Sequence, residues 1–125
     1  MPERFDLTGK AAIVTGASSG LGRHFAATLA RHGASVALMA RRVGELETLA
    51  REIERAGRKA VPIALDVAKP ESVRAAVTAA AKALGPIAIL VNNAGTAVTR
   101  RALEVSEADW DKVMGVNLRG AWLMA

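Results

Sequence analysis

The segment AAIVTGASSGLG, residues 11–22, determines how the rest of this chain can fold. Its first four residues, 11–14, are small or β-branched and apolar, which predicts a strand buried on both faces. Three glycines follow at the spacing Gly-x-x-x-Gly-x-Gly, as Gly16, Gly20 and Gly22, and a helical pattern begins directly after them. Such a loop admits a ligand close to the backbone and points the positive end of a helix dipole at it. A glycine turn that only packs helix on strand is the alternative, but the order strand, glycines, helix favours a phosphate-binding loop.

The composition indicates a single globular domain. The chain has 125 residues, of which 51% are hydrophobic, so it is long enough to bury a core. It contains no cysteine, which excludes disulfides, thiolate metal sites and a cysteine nucleophile and suits the reducing cytoplasm that we predict as its location. We predict no bound metal. The charged start of the chain does not resemble a signal peptide, and no apolar run approaches the ~20 residues of a membrane span.

The net charge of +5 does not indicate a nucleic-acid partner. The basic residues are scattered along helical segments and only 3% of the residues are aromatic, whereas single-strand binding needs clustered cations and aromatic platforms. We therefore expect solvated helix surfaces and a few arginines that face phosphate groups.

Short apolar segments alternate with amphipathic helical segments along the whole chain, which predicts a doubly wound parallel α/β sheet. Right-handed crossovers place helices on both faces and give the strand order 3-2-1-4. Pro62 lies within the third strand and favours a sheet edge for it. Ser106 and Asp109 have the spacing of a capping box and predict the start of the last helix. The other three predicted strands are residues 35–40, 60–65 and 87–91.

Four motifs together resemble the short-chain dehydrogenase/reductase family. They are Thr15-Gly16-x-x-x-Gly20-Leu21-Gly22, Asp66-Val67, Asn92-Asn93-Ala94-Gly95, and Asn117 within the run VNLRG. The resemblance implies that residues 1–125 form the NAD(P)-binding Rossmann domain of an oxidoreductase. Such an enzyme transfers a hydride between nicotinamide and an alcohol or carbonyl substrate, for example a 3-oxoacyl thioester, a sugar or another secondary alcohol.

The resemblance also implies which residues bind the cofactor. Asp66 and Val67 would meet the adenine, although Asp66 could instead only orient a turn. A wall of Asn93, Ala94 and Gly95 would face the ribose and nicotinamide. Alternatively, Asn92 and Asn93 could be only loop residues that tie neighbouring strand ends together through their side-chain amides, a role that we expect above all for Asn92. The phosphate loop would use Gly16, Ala17, Ser18, Ser19, Gly20 and Leu21.

Two arginines at the end of the second predicted strand favour NADP over NAD. An acidic residue at this place would bind the adenosine ribose hydroxyls and mark NAD, but the chain has Arg41 and Arg42 there and no acid before Glu45. A guanidinium can bind a 2′-phosphate through two hydrogen bonds and stack on the adenine. The alternative is that both arginines only cover surface.

The catalytic residues that the resemblance implies are mostly missing. Asn117 matches the family's asparagine that holds a proton-relay water, although a structural bond to backbone is the alternative. The family's Tyr-x-x-x-Lys pair and serine have no counterpart, and the sequence contains no tyrosine. We therefore expect the chain to be a front half that is truncated before the catalytic segment and inactive by itself. A non-catalytic half-domain that binds a nucleotide or a partner chain is the alternative.

The last predicted helix, residues 106–125, carries more apolar residues than one sheet-facing side needs. In the family this helix contributes to a four-helix bundle between subunits, so we expect a homo-oligomer besides a small-molecule substrate, and no membrane partner. The alternative is that all of these residues face the sheet. The residues grouped on this helix are Trp110, Val113, Met114, Asn117, Leu118, Ala121 and Trp122.

Overall fold

A computed structural model describes residues 4–125 as four strands and four helices in strict alternation, followed by a short final helix. The elements are β1 (Ala11–Thr15), α1 (Gly20–Arg31), β2 (Ser35–Ala40), α2 (Val43–Arg55), β3 (Ala60–Ala64), α3 (Pro70–Leu84), β4 (Ile87–Val91), α4 (Glu107–Met114) and α5 (Ala121–Met124).

The four strands form one parallel sheet in the order β3-β2-β1-β4, as the sequence predicted. Val14 of β1 stands beside Leu38 of β2 on one side and Val91 of β4 on the other. Pro62 lies in β3, which is an edge strand, so its missing N–H leaves no central ladder bond unmade. The prediction that Pro62 places the third strand at a sheet edge is therefore confirmed.

Helices cover both faces of the sheet and create two cores. Because successive side chains of a strand point to opposite faces, Ala12 and Val14 enter one core and Ile13 enters the other. The first core joins the sheet to α1 and α2 through Leu46, Leu49 and other apolar residues. The second joins it to α3 and the last helical segment. All five residues of β1 are buried, as expected for the strand between both layers.

The capping box begins α4 where the sequence predicted it. The Ser106 hydroxyl accepts the Asp109 N–H at 3.0 Å, and the Asp109 carboxylate accepts the Ser106 N–H at 3.2 Å. Arg100 also pairs with this carboxylate at 3.0 Å. The backbone hydrogen bond from Ser106 and, to a smaller extent, the charge of Arg100 lower the pKa of Asp109 below its ordinary value.

A π-helical segment, Gly115–Gly120, joins α4 to α5. The alternative that all of the residues grouped on the last helix face the sheet is wrong. Trp110 and Leu118 are 60% and 62% exposed, whereas Met124 enters the second core. Trp110 and Leu118 therefore lie on the outer side of the last helices, and Met124 lies on the inner side.

No helix in the described part of the chain is long and apolar enough to cross a membrane. The cytoplasmic location stays a prediction from composition.

Gly22 allows α1 to approach the end of β1, and its replacement should destabilise the fold. A Cβ atom at Gly22 would overlap the carbonyl oxygen of Gly16 and the side-chain amide of Asn93, both held in place by backbone. We expect Gly22→Ala to lower the free energy of unfolding by about 1–3 kcal/mol, as overpacking does elsewhere. Urea denaturation of the full encoded protein measures this change.

Gly44 provides the matched control, since it lies in α2 and has no atom within 4 Å of its Cβ position. Gly44→Ala should leave stability unchanged or raise it by up to about 1 kcal/mol through helix propensity. Equal stability of the Gly22→Ala protein and the wild type would show that α1 can move away without loss.

Candidate functional site

A cleft of about 560 Å³ opens at the carboxyl ends of the four strands. In doubly wound sheets this edge is where ligands bind, because the loops after neighbouring parallel strands converge there. The end of β2 and the loops that follow all four strands contribute residues to the lining, and the last helices border one side. The lining comprises Gly16, Ser18, Ser19, Met39, Ala40, Arg41, Arg42, Glu45, Leu65, Asp66, Val67, Asn93, Ala94, Gly95, Thr96, Lys112 and Val116.

The Thr15 hydroxyl joins the ends of the two strands that flank the cleft. Thr15 is fully buried at the end of β1, and its hydroxyl accepts the N–H groups of Asn93 at 3.0 Å and Ala94 at 2.9 Å. It donates to the Val91 carbonyl at 3.4 Å. A single oxygen therefore fixes the start of the segment after β4. Thr15 begins the glycine motif of the sequence, but the motif alone indicates no role for its hydroxyl.

The two asparagines after β4 make different bonds. Asn93 donates its side-chain amide to the Gly16 carbonyl at 3.2 Å, which ties the loop after β4 to the glycine loop after β1. Asn92 donates to the Ala121 carbonyl at 3.1 Å and thus ties the same loop to the last helix. The tie between strand ends that the sequence suggested for Asn92 is made by Asn93.

The glycine loop places a free helix end at the cleft. Gly16 and Gly20 adopt positive φ angles of 66° and 57°, which glycine tolerates and other residues avoid. No atom lies within 4 Å of a Cβ position at Gly20, so the space beside its backbone is open. No side chain caps the N-terminus of α1.

Charge around this helix end favours an anion. α1 has no acidic residue in its first turn, whereas α2, α3 and α4 each have at least one there. A carboxylate at the N-terminus would occupy the site that the helix dipole offers to a phosphate group. Ser18 and Ser19 line the cleft beside this helix end.

Three predicted members of the phosphate loop lie outside the cleft lining. Ala17 is fully buried, and its N–H donates to the Met39 carbonyl at 3.2 Å, so the protein itself uses that group. Gly20 and Leu21 lie at the start of α1 and are exposed, and Leu21 is 67% exposed. Their backbone, rather than their side chains, is therefore the part that a ligand at this helix end would approach.

Asp66 makes the turn bond that the sequence offered as an alternative, and it also lines the cleft. Its carboxylate accepts the Ala68 N–H at 3.0 Å, and its own N–H donates to the Ser72 hydroxyl at 2.9 Å. These bonds hold the carboxylate at the end of β3 beside Val67, which is buried. Since only one carboxylate oxygen is engaged, the other can accept a bond from a ligand.

Arg41 and Arg42 are exposed at the cleft edge after β2, and Glu45 lines the same region. Within residues 4–125, neither arginine forms an ion pair. Both guanidinium groups are therefore available to an anionic ligand. The carboxylate of Glu45 lines the same part of the cleft.

Asn117 makes two hydrogen bonds to one residue of the loop after β4. Its side-chain oxygen accepts the Thr96 N–H at 2.8 Å and its amide nitrogen donates to the Thr96 carbonyl at 2.9 Å. The structural bond to backbone that the sequence offered as an alternative is thus present. An amide has four hydrogen-bonding positions, so two of them stay open on this exposed side chain.

Sequence reasoning missed two polar residues of the lining, Thr96 and Lys112. Thr96 follows the asparagine motif directly, so its position after β4 was the available signal. Lys112 lies on the last predicted helix, outside all four motifs, so no local signal indicated it. In the described part of the chain, no group of three or more His, Cys, Asp or Glu residues could hold a metal ion.

The chain resembles known proteins over nearly its whole length. A family model described as short chain dehydrogenase matches residues 10–125. A short chain dehydrogenase of Pseudocercospora fijiensis is 45% identical over 129 aligned positions, covering 98% of this chain and 41% of the relative. The doubly wound fold of the chain therefore agrees with the family that the model match indicates. The chain belongs to the short-chain dehydrogenase family.

Two solved structures share the fold and differ in the cofactor that they hold. An alcohol dehydrogenase from Thermococcus sibiricus, complexed with 5-hydroxy-NADP, superposes with a TM-score of 0.89 at 38% identity and covers 92% of this chain and 49% of its own. A short chain dehydrogenase/reductase from Burkholderia phymatum, in complex with NAD, gives 0.90 at 35% identity, covering 96% and 43%. The chain therefore spans less than half the length of these proteins.

The Thr15 hydroxyl should be required for stability because it serves two backbone donors. Thr15→Val keeps the shape of the side chain but leaves the half-buried N–H groups of Asn93 and Ala94 without their acceptor. An unsatisfied buried donor costs about 1–3 kcal/mol, so we expect a loss of about 2–4 kcal/mol in unfolding free energy.

Thr15→Ser is the matched control, because it keeps the oxygen and removes only a methyl group. Its expected loss is about 1 kcal/mol. If thermal unfolding of the two variants in the full encoded protein gave the same loss, the hydroxyl bonds would not be the stabilising interaction.

Proposed function

We propose that the protein to which this chain belongs is an NADP(H)-dependent oxidoreductase of alcohols and carbonyl compounds. The observation that carries this proposal is the cleft itself, where a glycine loop, a free helix N-terminus and two unpaired arginines face one space. No other described part of the chain combines these features.

In this proposal, different residues of the cleft contact different parts of the cofactor. The N-terminus of α1, with Ser18 and Ser19 beside it, holds the pyrophosphate through backbone N–H groups and the helix dipole. Asp66 and Val67 face the adenine at the end of β3. The nicotinamide lies against the wall of small residues formed by Ala94 and Gly95.

The nicotinamide supplies or accepts the hydride when the cofactor is bound. The chain contributes orientation, because Thr15 and Asn93 hold the wall after β4 against the glycine loop. Asn117 fixes the next residue of that wall, Thr96, and can hold a water at its two open positions. We propose this water as the start of the proton relay that the family resemblance implies.

Proton transfer to the substrate oxygen needs a general acid, which the resemblance implies to be a tyrosine. The 125 residues contain none. The proposal therefore assigns cofactor binding to this chain and proton transfer to residues outside it. A non-catalytic half-domain is less well supported, because the similar proteins named above are dehydrogenases.

The preference for NADP rests on Arg41 and Arg42. Their guanidinium groups stand after β2, where an acidic residue would bind the ribose hydroxyls of NAD. Since the similar structures hold NAD in one case and an NADP derivative in another, membership of the family leaves the choice open. In our proposal, the positive charge of Arg41 and Arg42 favours NADP over NAD.

Replacing Arg41 should reverse the cofactor preference. In the full encoded protein we expect NADPH to bind more tightly than NADH and to reduce members of a panel of ketones. Arg41→Asp removes a charge-assisted contact to the 2′-phosphate, so the Kd for NADPH should rise about 10- to 100-fold, with a gain for NADH. Calorimetry measures both constants, and absorbance of the reduced nicotinamide follows turnover.

Arg51→Asp is the matched control, because Arg51 is exposed on α2 but lies outside the cleft lining. It makes the same change of charge and should leave both constants unchanged. Equal affinity of the unmutated protein for NADPH and NADH would contradict the proposed specificity, and binding of neither would contradict the proposed function.

We also propose that the protein is a homo-oligomer that assembles through the outer face of its last helices. Trp110, Leu118 and Trp122 are all at least 60% exposed on this face, and Met114 lies between them. Their spacing of four residues forms an apolar stripe on the side of the helices away from the core.

A charge within this stripe should dissociate the oligomer. We expect the full encoded protein to sediment as a dimer or tetramer and Trp122→Glu to shift it towards the monomer, because a buried unpaired carboxylate opposes association. Leu103→Glu is the control, since Leu103 is fully exposed on a separate turn. A wild-type protein that sediments as a monomer at micromolar concentration would contradict the proposal.

A further inference from the structure

The cleft lining includes a lysine, Lys112, that neither the glycine loop nor the asparagine motif accounts for. It lies in the last turn of α4, and the side chain is exposed. Val116, four residues further on, also lines the cleft, so this side of the helix faces the cleft.

The position of Val67 shows which end of the cleft this side of the helix approaches. Gly120, four residues beyond Val116, is buried against Val67, whose Cγ2 would lie 2.8 Å from a Cβ at Gly120. Lys112, Val116 and Gly120 thus follow one line that ends at the carboxyl end of β3. Lys112 lies eight residues before this contact, in the last turn of α4, and lines the cleft there. Asn117 lies on a different side and contacts Thr96.

In the described part of the chain, Lys112 forms no ion pair. Within residues 4–125 no acidic group lies within ion-pair distance of its ammonium group. On its own helix, Asp109 is engaged by Arg100 and by the capping box. Asp111 is the adjacent residue, and neighbouring residues of a helix do not face each other.

Lys112 gives the cleft lining its net positive charge. Arg41, Arg42 and Lys112 face two carboxylates, Glu45 and Asp66. Without Lys112 the lining would have equal numbers of cationic and anionic side chains, although NADP(H) has one phosphate group more than NAD(H). The additional phosphate belongs to the adenosine half of the cofactor. In the proposed binding mode this half lies near Arg41 and Asp66, at the end of the cleft where the helix side that carries Lys112 contacts Val67.

We propose that Lys112 is a specificity-determining residue that favours the 2′-phosphate of NADP(H) from the side opposite Arg41 and Arg42. This inference rests on the proposed cofactor binding. A lysine suits the task because its ammonium group ends a flexible stem and needs no fixed geometry. The residue acts through charge, so its effect should depend on the 2′-phosphate and on ionic strength.

The test is calorimetric binding of NADPH and NADH to the full encoded protein and to Lys112→Gln. We expect the Kd for NADPH to rise about three- to fivefold and the Kd for NADH to change by less than about twofold. The difference should shrink when ionic strength rises from about 0.01 M to about 0.15 M, where the Debye length falls to about 8 Å. Lys112→Arg keeps the charge and should keep the preference.

Lys82→Gln is the control for general loss of charge, because Lys82 is exposed on α3, remote from the cleft lining. An unchanged ratio of the two constants in Lys112→Gln, or an equal rise in both, would overturn the role in specificity. These outcomes differ from failure of the proposed function, in which the unmutated protein would bind neither cofactor.

Discussion

The hydroxyl group of Thr15 is the interaction on which the cleft depends. A parallel sheet holds its strands together by backbone bonds, but these bonds stop at the strand ends and do not define the loops beyond them. Thr15 continues the connection between β1 and β4 by accepting two N–H groups of the next loop. Asn93 adds the bond from that loop to Gly16. The glycine loop after β1 and the loop after β4 therefore form one unit.

Close packing of backbone makes this unit possible. Gly16 and Gly22 leave no room for a Cβ atom beside Asn93, so the helix, the strand end and the asparagine amide meet directly. Gly20 differs from both, because the space beside it is open. The three glycines thus serve two purposes, since two allow the protein to pack on itself and one leaves its backbone accessible to a ligand.

The last helices connect the cleft to a second surface. Their inner side reaches the core and the cleft through Val116 and Gly120, while Asn117 holds Thr96 from the same segment. The outer side carries the exposed tryptophans. One helical segment therefore borders the cleft on its inner side and presents an exposed apolar stripe on its outer side.

The sequence by itself determined the local elements and their order. Apolar runs, the glycine spacing, the capping box at Ser106 and the edge proline Pro62 act over a few residues, and the structure confirmed each of them. Only the tertiary structure decided which asparagine ties the strand ends, what Thr15 holds and which residues of the last helix face the cleft. These contacts join residues such as Thr15 and Ala94, which are 79 positions apart. A local pattern contains no information on such a distance, and a π turn changes the helical period on which such patterns rely.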